Sequence, residues 1–498
     1  MSAIDLLRDE LRTIGDLDSI SAALDWDQAT YMPDGGAAAR GRQLALVSEM
    51  AHAKRASSTM RDLLSACRDL ESRDDVDGAL VRRARQRHER ATKVPAALVR
   101  AIKEHSAEAY VAWTHARPAN DFASVRPLLE RGLDLSRRLA DALGYVDHPL
   151  DALIDENDRG STVASTVALF DALRAELVPL VKAITAAKPL DASILARPVP
   201  AHVQLEFARS VAEQLGYDFH RGRMDLTHHP SMTRLSGGDV RITARVREDD
   251  FGEAFFSTVH EVGHALYEQG IDLAFDGTPL GEGASSGVHE SQSRFWENFV
   301  ARSPAFWSRF LPELKRAAPG TFDDVDVERM VHAVRHVGRS LIRTDADEVT
   351  YNLHVMLRFG LEKDLFDGAV KVAELPDAWN ARMTTDLGVT PSDDREGVLQ
   401  DVHWFCTTIG GSFQGYTFGN MLAAQLWESA ATAMPDLETA IAAGEFDRLR
   451  AFLIDRLHRH GAVYDPAQLI ERATGKPLGI EPLMRHLRAN YGALHGVA

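Results

Sequence analysis

The chain is 498 residues long, with 56 Lys+Arg against 73 Asp+Glu, a formal net charge of −17, and 45% hydrophobic residues. This is an ordinary soluble globular composition with ample apolar material for a large core, and its acid surplus makes nucleic acid and membrane surfaces poor partners. With only two cysteines, Cys67 and Cys406, a disulfide framework and a thiolate metal site are excluded, and a reducing cytoplasm is the fitting compartment.

The N-terminal MSAIDLLRDELRTIGDL carries charges in every turn and so lacks the apolar run of a signal peptide. Apolar residues then recur at three and four spacing, as in Leu6–Ile14, Val163–Ile184 and Arg448–His460, which predicts a mostly α-helical protein. Helix breaks are expected at Met32–Gly36, Arg197–Pro200 and Gly475–Gly479. Arg82, Arg83, Arg85, Arg87 and Arg90 spread around a helix axis and are interrupted by Glu89, so they predict a solvated helix face.

Strict alternation in Asp239–Val246 predicts a strand, and Gly237-Gly238 before it allows a hairpin with Met232–Leu235. Arg241, Thr243 and Arg245 would share its exposed side. Directly after it, Asp250 with Glu253 offers an N-terminal cap, Phe255, Val259 and Val262 mark a buried stripe, and Gly270 offers a stop. The implied helix has about five turns and carries His260-Glu261-Val262-Gly263-His264. Residues four apart lie on one face, so both imidazoles can reach one cation, while Glu261 flanks the site as a carboxylate suited to touch a metal-bound water.

Two interior histidines need partners, and a cation satisfies both. A catalytic metal also needs a third protein ligand, for which Glu282, His289 and Glu290 are the downstream candidates. Glu290 is preferred because a glutamate is the third ligand of thermolysin-like sites, leaving His289 for substrate. The uncharged Trp404–Trp427 contains four glycines and several polar residues, and reads as a buried loop entering a helix.

Together, His260-Glu261-Val262-Gly263-His264 and His289-Glu290-Ser291-Gln292-Ser293-Arg294-Phe295-Trp296-Glu297-Asn298 resemble the carboxypeptidase Taq family of metallocarboxypeptidases. Asp239-Val240-Arg241-Ile242-Thr243, Ile342-Arg343-Thr344-Asp345-Ala346-Asp347, Gly397-Val398-Leu399-Gln400-Asp401-Val402-His403-Trp404 and Trp26–Pro33 extend the resemblance over much of the chain. It implies one metallocarboxypeptidase domain over 1–498, with a helical part at about 1–200 and a catalytic part at about 201–498. The implied fold is all-α, with a small β-hairpin or sheet beside a long active-site groove.

The resemblance further implies a cytoplasmic homodimer with one divalent ion per chain, zinc or else cobalt, that releases C-terminal residues broadly but disfavours proline. By motif, His260, His264 and Glu290 are the ligands and Glu261 the general base toward a metal-bound water. Arg343 would clamp the substrate's terminal carboxylate, and Arg241 and His229 would close the groove. His403 and Tyr416 are the candidate donors to the tetrahedral oxyanion. The sequence departs from the family at His229-Pro230-Ser231, where phenylalanine is usual third, and at Gly411–Tyr416. The rival readings are an internally cleaving oligopeptidase and a helical scaffold with a non-catalytic metal site.

Overall fold

The computed structural model describes residues 2–497, and the chain forms two compact units. The first comprises Met1–Thr92, Asp191–Val334 and Leu422–Pro477, and the second Lys93–Leu190, Arg335–Met421 and Leu478–Ala498. Among the described residues no helix is long and apolar enough to cross a membrane.

The first unit begins with α1 (Ala3–Thr30), α2 (Ala37–Arg55), α3 (Ser58–Ala66) and α4 (Val76–Lys93). Ser2 and Asp5 close a reciprocal cap on α1. The three and four spacing of Leu7, Leu11 and Ile14 turns one face of α1 onto Met60, Leu64, Leu80 and Ala84. Cys67 joins this core as a free thiol. The α4 arginines differ from the predicted solvated face. Arg85 pairs with Glu71, Arg87 with Glu282, and Arg83 donates to the carbonyls of Ala462 and Tyr464, so each guanidinium fastens a neighbouring segment.

The second unit holds α5 (Ala96–Ala119), α6 (Phe122–Leu143), α7 (Pro149–Asn157) and α8 (Val163–Ala186), the last begun by a Thr162 cap. After α9 (Ala201–Leu215), the first unit contains a three-stranded sheet of β1 (Met224–Leu226), β2 (Met232–Ser236) and β3 (Asp239–Ala244), in the order β1-β3-β2. The β2–β3 hairpin is the expected one, and β1 adds a parallel neighbour too short to show a period. Arg245 lies beyond β3; Thr243 is buried with its hydroxyl shared with Ser231, and Arg241 on the same side lies 4.2 Å from the ring centre of Trp26 on α1, so the face predicted to meet solvent is largely covered.

Next come α10 (Phe251–Gly270), α11 (Ser286–Arg294), α12 (Pro304–Ala317) and α13 (Val327–Val334). Asp250 caps α10 by accepting from the Glu253 N–H at 3.0 Å. Gly270 ends the helix with its last helical residue, without the left-handed turn the stop signal implied. Its glycine is required by packing, since a Cβ there would sit 2.7 Å from His458. Phe251 and Phe255 stack at 5.5 Å and meet Phe207 and Trp307, which anchors α10 in the interior.

The second unit resumes with α14 (Tyr351–Asp367), α15 (Leu375–Arg382), the short α16 (His403–Cys406) and the first turns of α17 (Gln414–Ala433), whose residues from Leu422 on belong to the first unit; this is the loop-then-helix expected of Trp404–Trp427. Gly410 and Gly411 there take φ of 96° and 88°, and a Cβ at Gly411 would meet the Leu153 carbonyl oxygen at 2.4 Å.

Candidate active site

His260 and His264 project from one face of α10 with ring centres 4.8 Å apart. Glu290 on α11 meets them because α10 and α11 touch backbone to backbone at Gly263, where a Cβ would lie 2.5 Å from the Gln292 carbonyl oxygen. Glu290 Oε2 then stands 3.7 Å from His260 Nε2 and 3.6 Å from His264 Nε2. Glu282 is drawn away to Arg87, and His289 is turned to other partners.

The hydrogen positions follow from those partners. His260 Nδ1–H donates to Glu297 Oε2 at 2.9 Å. His289 Nε2–H donates to Glu268 Oε1 at 2.9 Å, so its Nδ1 accepts the His264 Nδ1–H at 2.6 Å. Both Nε2 atoms therefore turn toward Glu290 Oε2, and each presents a lone pair there when its ring is neutral. A divalent cation is the guest that satisfies such a donor set, and His260, His264 and Glu290 form the one such cluster among the described residues. Burial, with His289 and His260 alongside, keeps His264 well below the ordinary imidazole range and hence neutral.

Behind the cluster, Arg294 Nε donates to Glu290 Oε1 at 2.7 Å, and Arg294 and Arg302 grip Glu297 at 3.2 Å and 3.0 Å. Burial opposes ionisation of Glu297, but Arg294, His260 and Arg302 hold its carboxyl well below the usual range. Arg234 Nε lies 3.0 Å from Glu268 Oε2. Glu261 makes no side-chain hydrogen bond among the described residues. Burial pushes its carboxyl up to about 7, with His260 opposing and Glu290 assisting, the poise of a proton-transfer group.

A second cluster lies in the second unit. Arg343, in a turn before α14, donates through Nε to Asp401 Oδ2 at 2.8 Å and through Nη1 to the Tyr351 hydroxyl at 3.1 Å. His403 Nδ1 donates to Asp401 Oδ1, and the Tyr416 hydroxyl lies 3.1 Å from His403 Nε2. Asp347, four residues after Arg343 in the same motif, is folded back onto Gly338, Val349 and Thr350. Being four residues on does not place it beside Arg343, because the segment between them is not α-helical.

The remaining expected residues lie on or beside the sheet of the first unit. Arg241 gives both ends of its fork to Asp239, at 2.8 Å and 2.7 Å, and His229 is exposed in the bend between β1 and β2. Ser231, where the resembled family has phenylalanine, receives the Thr243 hydroxyl hydrogen bond on β3 through its carbonyl at 3.2 Å. Sequence reasoning missed Glu297, Glu268, Gly263 and Arg358. Glu297 was discoverable as the acid two turns after Glu290, whereas nothing in the pattern marked Arg358.

The carboxypeptidase Taq (M32) metallopeptidase profile matches residues 6–491. Among curated relatives, thermostable carboxypeptidase 1 of Thermus thermophilus is 39% identical, with 96% of each chain covered. Carboxypeptidase 1 of Bacillus subtilis is 37% identical, covering 98% of this chain and 97% of its own. The crystal structure of the M32 carboxypeptidase from Deinococcus radiodurans R1 is 46% identical, superimposes with a TM-score of 0.96, and covers 99% of this chain and 100% of its own.

Proposed function

This chain belongs to the carboxypeptidase Taq (M32) metallopeptidase family, and from that premise we propose how its residues carry out metal-dependent removal of C-terminal amino acids from peptides. His260, His264 and Glu290 hold one divalent ion, zinc or else cobalt. The observation that carries this is the convergence of their three lone pairs with an untethered Glu261 beside them. The ion's chemistry, when bound, is to polarise the scissile carbonyl and to make water a nucleophile near neutral pH.

The protein's own groups supply the rest. Glu261 accepts the attacking water's proton and delivers it to the leaving nitrogen. Glu297 and the His289–Glu268 pair keep the ligand histidines in the tautomer that leaves Nε2 bare, so His289 acts on His264 rather than on substrate. Arg343 offers Nη2 to the peptide's terminal carboxylate. His403, held by Asp401 through Nδ1, would position the Tyr416 hydroxyl 3.1 Å from its Nε2, and Tyr416 would turn its phenolic hydrogen to an oxyanion. Arg241 and His229 would assist at the substrate's end, Arg241 within the limit set by Asp239.

The family resemblance also supports a cytoplasmic homodimer and poor release of C-terminal proline, whose ring crowds the leaving nitrogen. The test is mass spectrometry of one unstructured peptide before and after chelation, with elemental analysis of the protein. Expected are about one transition-metal ion per chain, a ladder shortened only from the C-terminus, and loss of cleavage on chelation restored by zinc or cobalt. Internal fragments would favour the oligopeptidase, and cleavage unaffected by chelator would overturn the metal assignment.

A further inference from the structure

Two guanidinium groups meet one carboxylate in the second unit. Asp401 Oδ2 accepts from Arg343 Nε and from Arg358 Nε, each at 2.8 Å, while Oδ1 is taken by His403. Arg358 is 0% exposed. Its other hydrogen bonds run to the His354 carbonyl and Gln400 Oε1, both at 2.8 Å, and its guanidinium carbon lies 4.6 Å from the Trp379 ring centre. It is therefore sealed from solvent and from any substrate. Arg343 is 7% exposed, and its Nη2 has no hydrogen bond among the described residues.

The nearby acid does not restore neutrality. Glu362 is fully buried and accepts from Trp404 Nε1 at 2.9 Å, and burial pushes its carboxyl up to about 8, so it is uncharged at pH 7. Burial also lowers Arg358, to about 10, which leaves it charged. His354 is held neutral by burial and by both arginines. Asp401 is thus the one ionised carboxylate against two guanidinium ions.

We propose that Arg358 is a positioning residue that saturates Asp401, so that Arg343 meets substrate carrying an uncompensated positive charge which a C-terminal carboxylate completes. The inference rests on the reading of Arg343 as the carboxylate clamp. An isolated Arg343–Asp401 pair would be neutral, and a carboxylate entering beside it would lose hydration while facing Asp401's repulsion. With Arg358 behind Asp401, the incoming anion makes two charges of each sign. An amide terminus can accept the same Nη2 hydrogen bond but brings no charge. Selection of free C-termini is therefore set by a residue that never touches them.

The test compares kcat/KM for one peptide as free acid and as C-terminal amide in the unmutated enzyme, Arg358→Gln, Arg358→Lys and Asp401→Asn. The unmutated enzyme is expected to prefer the acid by about two decades or more. Arg358→Gln should shrink that ratio at least about tenfold, chiefly through KM for the acid, and Arg358→Lys should recover most of it. Equal losses on both peptides in Arg358→Gln, or no recovery with lysine, would overturn the inference and leave Arg358 a packing residue. If Arg358→Gln does not fold, Asp401→Asn decides: an undiminished acid preference with lower kcat on both peptides supports the charge count, and a lost preference overturns it. An unmutated enzyme that cleaves both peptides alike would refute the Arg343 reading itself, a different failure.

Discussion

The cluster on α10 and α11 gathers two imidazole nitrogens and a carboxylate oxygen, whereas the cluster around Asp401 gathers two guanidinium ions on one carboxylate. The first is arranged to take a cation and, on our proposal, the second to take an anion. Each is held in place by hydrogen-bonded neighbours: Glu297, His289 and Arg294 around the first, and Gln400, Tyr351 and the His354 carbonyl around the second. The lesson is that the geometry and charge of the donor set in a hydrogen-bonded network identify its guest more sharply than the residue types do.

Removing charge from the first cluster should have the largest effect. Glu290→Gln is expected to abolish stable metal binding, since an amide is a far weaker ligand, while Glu261→Gln should retain the metal and lose at least about two decades of turnover. Elemental analysis beside kcat separates the two; metal loss in the Glu261 variant would make it a ligand and break the assignment.

A smaller effect tests how the first cluster is assembled. Gly263→Ala would force a Cβ to within 2.6 Å of the Ser293 Cα, and neither backbone can yield cheaply, so the metal-free protein should lose about 1–3 kcal/mol. Denaturant midpoints measure this. An unchanged midpoint would mean that α10 and α11 can separate without cost, and the close approach would not explain how Glu290 reaches the histidines.

The smallest effect concerns the silent acid of the second cluster. Glu362 has its carboxyl pushed from 4.5 up to about 8 by burial, so between those values the folded state holds a proton that the unfolded chain has released, and stability falls as pH rises. From pH 6 to pH 7 this group should cost at most about 1.4 kcal/mol, and Glu362→Gln should remove that slope. If unfolding free energies of the two proteins keep a constant difference across that interval, Glu362 is ionised and the surplus charge beside Asp401 disappears.

The two clusters also differ in how much of each could be read from sequence. His260, His264 and the flanking Glu261 were legible because helical periodicity is local, and one turn of α10 fixes their mutual placement. Glu290 needed a choice among three nearby candidates, made by metal chemistry and then by resemblance. The second cluster draws on Arg343, Tyr351, Arg358, Asp401, His403 and Tyr416, which share no single helix. Family motifs marked Arg343, Asp401 and His403 without saying what bonds to what.

By itself the sequence determined the helical class, the β2–β3 hairpin, the N-terminal cap of α10 and the metal-ligand spacing, because each depends on residues within a few turns or one hairpin of each other. Tertiary structure alone decided that Thr243 is buried against Ser231, that the α4 arginines are fastened, that His289 turns to His264 and that Arg358 shares Asp401. Those outcomes depend on which distant segments approach and which polar edges remain to be satisfied once water is excluded, and that selection is made among remote partners during packing, where no local period records it.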